Sequence, residues 1–87
     1  GPDATLWLSA CIDGIAEWEW SSPLLYESFM ALAEQMGANR RKFQAPVRVA
    51  ITGRSVGPPL FESMQILGRV EVLRRLQATL DRVQLTA

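Results

Sequence analysis

Residues 38–52, ANRRKFQAPVRVAIT, admit two readings. Val47, Val49 and Ile51 alternate with Arg48 and Ala50, which is the period of a half-buried strand. Phe43, Val47, Ala50 and Ile51 also fall on one face of a helix. Pro46 weighs against both, since it costs a helix interior about 3 kcal/mol and is tolerated only at the edges of sheets. The rest of the chain settles the choice. No other segment reads as β, and a lone strand would leave its backbone donors and acceptors unmet. The segment is therefore read as a helix, bent or initiated near Pro46. The whole chain is read as all-α, a small bundle of four to five helices.

The flanking segments agree. In SSPLLYESFMALAEQMG, 21–37, Ser22 fits an N-cap and Pro23 the first helical position. Leu25, Phe29, Leu32, Ala33 and Met36 form an apolar stripe, and Gly37 is a natural stop. In ATLWLSACIDGIA, 4–16, Leu8, Ile12 and Ile15 have helical spacing, with Ala4, Trp7 and Cys11 adjoining; Gly14 weakens this helix. EWEWS, 17–21, is too short to assign. Trp18 and Trp20 could bridge packed elements or stack on bases; the surrounding acids would repel phosphate, which favours packing. Downstream, PLFESMQILG, 59–68, reads as a short helix with Pro59 in its first turn and Gly68 as its stop. Leu60, Met64 and Leu67 share a face there, with Phe61 beside them. RVEVLRRLQATLDRVQL, 69–85, reads as a longer helix with Val70, Leu73, Leu76, Leu80 and Val83 inward. Arg74, Arg75 and Arg82 lie elsewhere on its surface. Glu71 is within i+3 and i+4 reach of Arg74 and Arg75, a pairing worth a few tenths of a kcal/mol.

Eighty-seven residues make one domain, near the lower end of what can bury its own core. Gly1-Pro2 reads as a tag remnant and 3–87 as the single domain. There is no repeat, linker or low-complexity tract. No apolar run approaches the ~20 residues of a membrane span, and residues 1–12 lack the basic start of a signal peptide. Cys11 is the only cysteine, so no internal disulfide framework exists and a reducing compartment fits. It has no nearby base and reads as a buried small hydrophobe. Histidine is absent, which removes the usual general base and the commonest metal ligand. No catalytic residues and no metal site are assigned.

The zero net charge hides a separation. Residues 1–38 hold six acids and no Lys or Arg. Residues 39–87 hold nine basic residues, among them Arg40, Arg41, Lys42, Arg48 and Arg54, against three acids. The halves are formally −6 and +6. Either the basic half meets an anionic partner such as nucleic acid, or the halves neutralise each other. Charge alone does not choose.

The loop TGRSVGPP, 52–59, fits no phosphate-binding motif. Gly53 and Gly57 are four apart, and Pro58 stands where a P-loop needs its lysine; no G-x-G-x-x-G is present. Pro58 and Pro59 remove two backbone donors. The loop is built to be stiff and to present side chains and carbonyls. Rigid apolar surface beside arginine suits unstacked bases, with cations holding phosphates. Leu60 and Phe61, at the loop's exit, stand where a base could be met, with Arg48 and Arg54 nearby. The plainer alternative is that Leu60 and Phe61 are core and Gly-Pro-Pro is a turn; the residues alone favour it.

Residues 42–80, KFQAPVRVAITGRSVGPPLFESMQILGRVEVLRRLQATL, resemble the end of bacterial-type glutamyl-tRNA synthetases, which are class I aminoacyl-tRNA synthetases. The likeness is carried by Pro46-Val47-Arg48-Val49-Ala50-Ile51-Thr52-Gly53, then Pro58-Pro59-Leu60-Phe61, then Leu67-Gly68 and Val72-Leu73-Arg74-Arg75-Leu76. Each piece is weak alone; their order and spacing together are specific. Residues 21–41 fit more loosely, and 3–20 carry no signature.

The resemblance implies an all-helical anticodon-binding domain, either the C-terminal part of a longer synthetase or a free-standing relative of that part, whose partner is the anticodon loop of tRNA(Glu). It places RNA-binding roles on Arg48, Gly57, Pro58, Leu60 and Phe61. Arg54 joins them from the loop, and Arg40, Arg41 and Lys42 are candidate phosphate contacts. Gly57 offers no side chain, so its contact would be through backbone. The two class I signature motifs for ATP are absent from these residues. The fragment therefore carries no catalysis and needs no cofactor, while the parent glutamate–tRNA ligase would use ATP and Mg. The implied protein is a cytoplasmic monomer, with the parent's catalytic domain as a second partner and no membrane association. A different use of the same fold is a protein-interaction module, docking through the acidic half and the tryptophans.

Overall fold

The computed structural model describes residues 2–86. Gly1, half of the expected tag remnant, lies outside the described residues. The elements are α1 (Pro2–Ile15), α2 (Ser22–Gln35), α3 (Arg40–Thr52), α4 (Leu60–Leu67) and α5 (Arg69–Thr86), and no strand occurs among the described residues.

The ambiguous segment is α3, and it starts six residues before Pro46 rather than at it. The signal is Asn39. Its backbone is extended, and its side-chain oxygen accepts the N–H groups of Arg41 and Lys42 at 3.0 and 3.2 Å. That is an N-cap, worth about 1 kcal/mol. Pro46 then sits inside the helix. It denies a partner to the carbonyl of Lys42, an exposed residue that water can reach. The helix survives because Phe43, Val47 and Ile51 are each buried along one face. α3 is the hub of the bundle, packing against all four other helices.

Around α3 the core is one cluster. Leu8, Cys11 and Ile15 come from α1, Leu25, Phe29 and Ala33 from α2, Leu60, Phe61 and Met64 from α4, and Val72, Leu76 and Leu80 from α5. Phe29 lies at its aromatic centre, 5.0 Å from the ring of Phe43 and 5.4 Å from that of Phe61. Burial pushes the Cys11 thiol up to about 12, so it packs as a neutral hydrophobe.

Three details depart from the sequence reading. The cap of α2 falls on Ser21, not Ser22, and makes no side-chain bond. The Ser22 N–H is met instead by the Gln65 side chain from α4. In α5, Val72 is buried and Val70 is 84% exposed, reversing the expected pair. Val70 lies about 120° round the helix from Leu76, at the edge of any buried arc. Arg75 is half-buried rather than on the outer surface.

Trp18 and Trp20 pack against the core, as their acidic surroundings suggest. Arg69 locks this corner. It donates to the carbonyls of Ile15 and Trp18, and its guanidinium lies 5.2 Å from the Trp20 ring centre. The start of α5 is thereby tied to the end of α1. Gly68, with φ +87, makes a one-residue junction between α4 and α5 that a side chain would strain.

Gly14 is a matter of space. A Cβ there would lie 2.6 Å from the Trp18 ring. Gly14→Ala would gain up to ~1 kcal/mol of helix propensity but incur ~1–3 kcal/mol of overpacking. The expected result is a lower melting temperature with altered tryptophan fluorescence. A higher melting temperature would show that the indole simply swings aside.

Candidate nucleic-acid interface

The last turn of α3 organises the loop. Thr52 Oγ1 donates back to the Arg48 carbonyl at 2.8 Å and accepts the Arg54 N–H at 3.2 Å. Gly53 ends the helix with φ +76, its N–H bonded to the Val49 carbonyl at 2.8 Å. This left-handed position is what a glycine supplies without strain. From there the chain runs exposed through residue 59.

Arg48 closes the loop from the same turn. Its Nη1 donates to the Pro58 carbonyl at 2.8 Å. The two prolines lack donors, so the loop offers carbonyls, and one of them is taken by this arginine. On the far side, the Pro59 carbonyl accepts from both the N–H and the hydroxyl of Ser63, in the first turn of α4. Both ends of residues 53–59 are therefore anchored. Between them stand Arg54, Val56 at 82% exposure, and Gly57. The stem of the Arg54 side chain runs close by Gly57.

Leu60 and Phe61 are placed differently from the base-facing expectation. They are 2% and 7% exposed. Phe61 packs edge-on against Tyr26 at 5.5 Å as well as against Phe29. The Phe61 ring holds α4 to α2 and Leu60 lies in the core cluster, so the surface beside the loop comes from other residues. A cleft of about 260 Å³ lies between Thr52 and Pro58 on one side and Ile66, Leu67 and Arg75 on the other. Ile66 is 85% exposed there. Sequence reading missed Ile66 and Arg75, whose proximity to the loop depends on how α4 and α5 dock on α3.

The electrostatics favour an anion. Among the described residues, the ion pairs are those of Glu71 with Arg74 and Arg75, both at 2.7 Å and both within α5. No acid of residues 3–38 is ion-paired with Arg40, Arg41, Lys42, Arg48 or Arg54. The two halves do not neutralise each other at these positions. Arg40, Arg41 and Lys42 are exposed on the first turn of α3, where the helix dipole disfavours cations. Arg41 and Arg48 are seven residues apart on one side of α3, about 10 Å along its axis. No group of three or more acids or cysteines with metal-holding geometry occurs among the described residues.

The family described as the anticodon binding domain matches residues 2–80. The chain is 45% identical over 83 residues to a glutamate–tRNA ligase of Frankia alni, covering 95% of this chain and 17% of that protein. It is 50% identical over 66 residues to a glutamate–tRNA ligase of Streptomyces coelicolor, covering 75% of this chain and 13% of that protein. A third such ligase, from Mycolicibacterium smegmatis, is 42% identical over 84 residues, covering 94% and 17%. The chain thus spans about a sixth or less of the length of these relatives. Among the described residues four helices pack around the proline-containing α3, with an anchored loop carrying Arg54; together with a match over nearly the whole length this makes one assignment: the chain belongs to the anticodon-binding-domain family.

Proposed function

We propose that this chain binds the anticodon loop of tRNA(Glu) and supplies part of the tRNA recognition of a glutamate–tRNA ligase. The observation that carries this reading is the loop of residues 53–59, anchored at both ends and exposed, with Arg54 on it and no acid paired to it. A stiff loop loses little entropy when it meets RNA. Arg54, and Arg40, Arg41 and Lys42 beyond it, suit phosphates, which position an RNA without reading it. Reading falls to Arg48 and to the backbone around Gly57 and Pro58. Leu60 and Phe61 shape that backbone from beneath.

The chemistry of aminoacylation, with its ATP and Mg, belongs to a catalytic domain outside these residues, and that domain is the second partner. The proposed protein works as a cytoplasmic monomer. No helix among the described residues is long and apolar enough to cross a membrane.

One feature favours a protein partner instead. An open groove of about 570 Å³ between α1 and α2 is lined by Asp13, Glu17 and Trp18. Salt separates the two uses. With about two to four phosphates engaged, log K against log salt should slope by about −1.5 to −3, at ~0.7 per phosphate for single strands. Arg54→Ala should weaken cognate and scrambled hairpins alike and flatten the slope by ~0.7. A salt-independent affinity with no preference for the cognate hairpin would leave the docking module as the better account.

A further inference from the structure

Three loop ties end on the last turn of α3: Arg48 to the Pro58 carbonyl, Thr52 to the Arg54 N–H, and Gly53 to the Val49 carbonyl. That turn is itself held from α5. Arg75 Nη1 donates to the Ile51 carbonyl at 2.6 Å, and its Nε donates to Glu71 at 2.7 Å. The Ile51 carbonyl is one of the last four of the helix, which have no partner within it. The glycine closure reaches Val49 and leaves Ile51 to Arg75. A guanidinium here also faces the negative end of the helix dipole.

Glu71 fixes the direction of that guanidinium. It accepts from Arg74 through Nε and Nη2 at 2.9 and 2.7 Å, and from Arg75 at 2.7 Å. These two arginines hold its carboxyl down to about 2. Its bonds to them are complete above the ordinary carboxylate range near 4.5 and are lost only as pH falls towards about 2. The two arginines differ in exposure, with the side chain of Arg74 at 66% and that of Arg75 at 35%. Arg75 spends two of its nitrogens on protein acceptors, Arg74 both of its bonds on Glu71 alone.

We infer that Arg75, oriented by Glu71, is a positioning residue for the RNA-reading loop: it fixes the last turn of α3, and so the places of Arg54, Gly57 and Pro58, without itself touching RNA. This rests on the RNA-binding reading above. It also gives the Glu71–Arg75 pair a role beyond an ordinary helix-surface pair, because the pair links two helices through a backbone carbonyl next to the loop.

The test uses the full 87-residue chain as wild type, Arg75→Met, Arg75→Lys and Glu71→Gln. Amide exchange is measured without RNA, and hairpin binding is measured against salt. Arg75→Met keeps the stem and loses the bonds. It should speed exchange at Gly53 and Arg54 by ~10-fold, leaving core amides of α1 and α2 unchanged. Preference for the cognate hairpin should fall several-fold with the salt slope unaltered, since no phosphate contact is lost. Arg75→Lys should recover part of both effects, and Glu71→Gln should shift both in the same direction by less. Exchange that quickens evenly across the chain, or not at all, overturns the positioning role. So does a slope flattened by ~0.7, which would make Arg75 a phosphate contact. If the wild type prefers neither hairpin, the RNA reading is what fails; the exchange pattern still upholds or overturns the hold of Arg75 on the loop.

Discussion

Phe29→Ala is expected to destabilise the domain by about 3–5 kcal/mol, the usual cost of removing a buried phenylalanine ring. The side chain is fully buried and joins three helices, touching Phe43 of α3 and Phe61 of α4. Little can collapse into the gap, because both neighbours are rings held by their own helices. Domains of this size have total stabilities of only about 5–15 kcal/mol. The melting temperature should therefore drop by at least ~12 °C, at ~4–8 °C per kcal/mol. Val56→Ala, on the exposed loop, is the control, and should stay within ~0.5 kcal/mol of wild type. Phe29→Leu should fall between them. Should Phe29→Ala melt within ~4 °C of wild type, the aromatic trio is not the centre of the core.

The sequence made the helices legible because each carries its own period and punctuation. The stripe of α2 and the glycines after α2, α3 and α4 needed no tertiary information. The α3 segment was legible only by elimination, since Val47 and Ile51 serve either period. Asn39 is the direct signal, immediately before the basic run, whereas Pro46 points to a later start. The Val70–Val72 reversal has another cause. Apolar residues at both positions leave the edge of the buried arc to be set by how α5 docks on α1 and α3.

The site was legible in its chemistry and not in its geometry. Arg48, Arg54 and the Gly-Pro-Pro step can be found by spacing. That Arg48 would meet the Pro58 carbonyl, or Arg75 the Ile51 carbonyl, cannot, because those acceptors are backbone atoms ten and twenty-four residues away. Residue type carries no information about them. Leu60 and Phe61 show the same limit from the other side. A large apolar pair after a stiff loop suits a base as well as a core, and only the docking of α4 into the bundle decides.

Leu60→Ala should cost about 2–5 kcal/mol of stability, as for a buried leucine, and lower the melting temperature by at least ~8 °C. Loss of a stacking platform would instead cost ~1–3 kcal/mol of binding, with the melting temperature unmoved. Leu60 at 2% exposure and Phe61 at 7% favour the first pattern for both residues. Binding measured well below the melting transition, where the variant is still folded, should keep most of its preference for the cognate hairpin. Arg48→Ala should behave in the opposite way. Its bond to Pro58 lies at the surface, so stability should change by only about 1 kcal/mol, while cognate preference falls because the loop's exit is released. The pair of variants thus separates packing from reading within one short segment. A Leu60→Ala protein that melts like wild type yet no longer distinguishes the hairpins would mean that this side chain turns outward to meet a base, and the loop would then read RNA through Leu60 rather than through Arg48 and its own backbone.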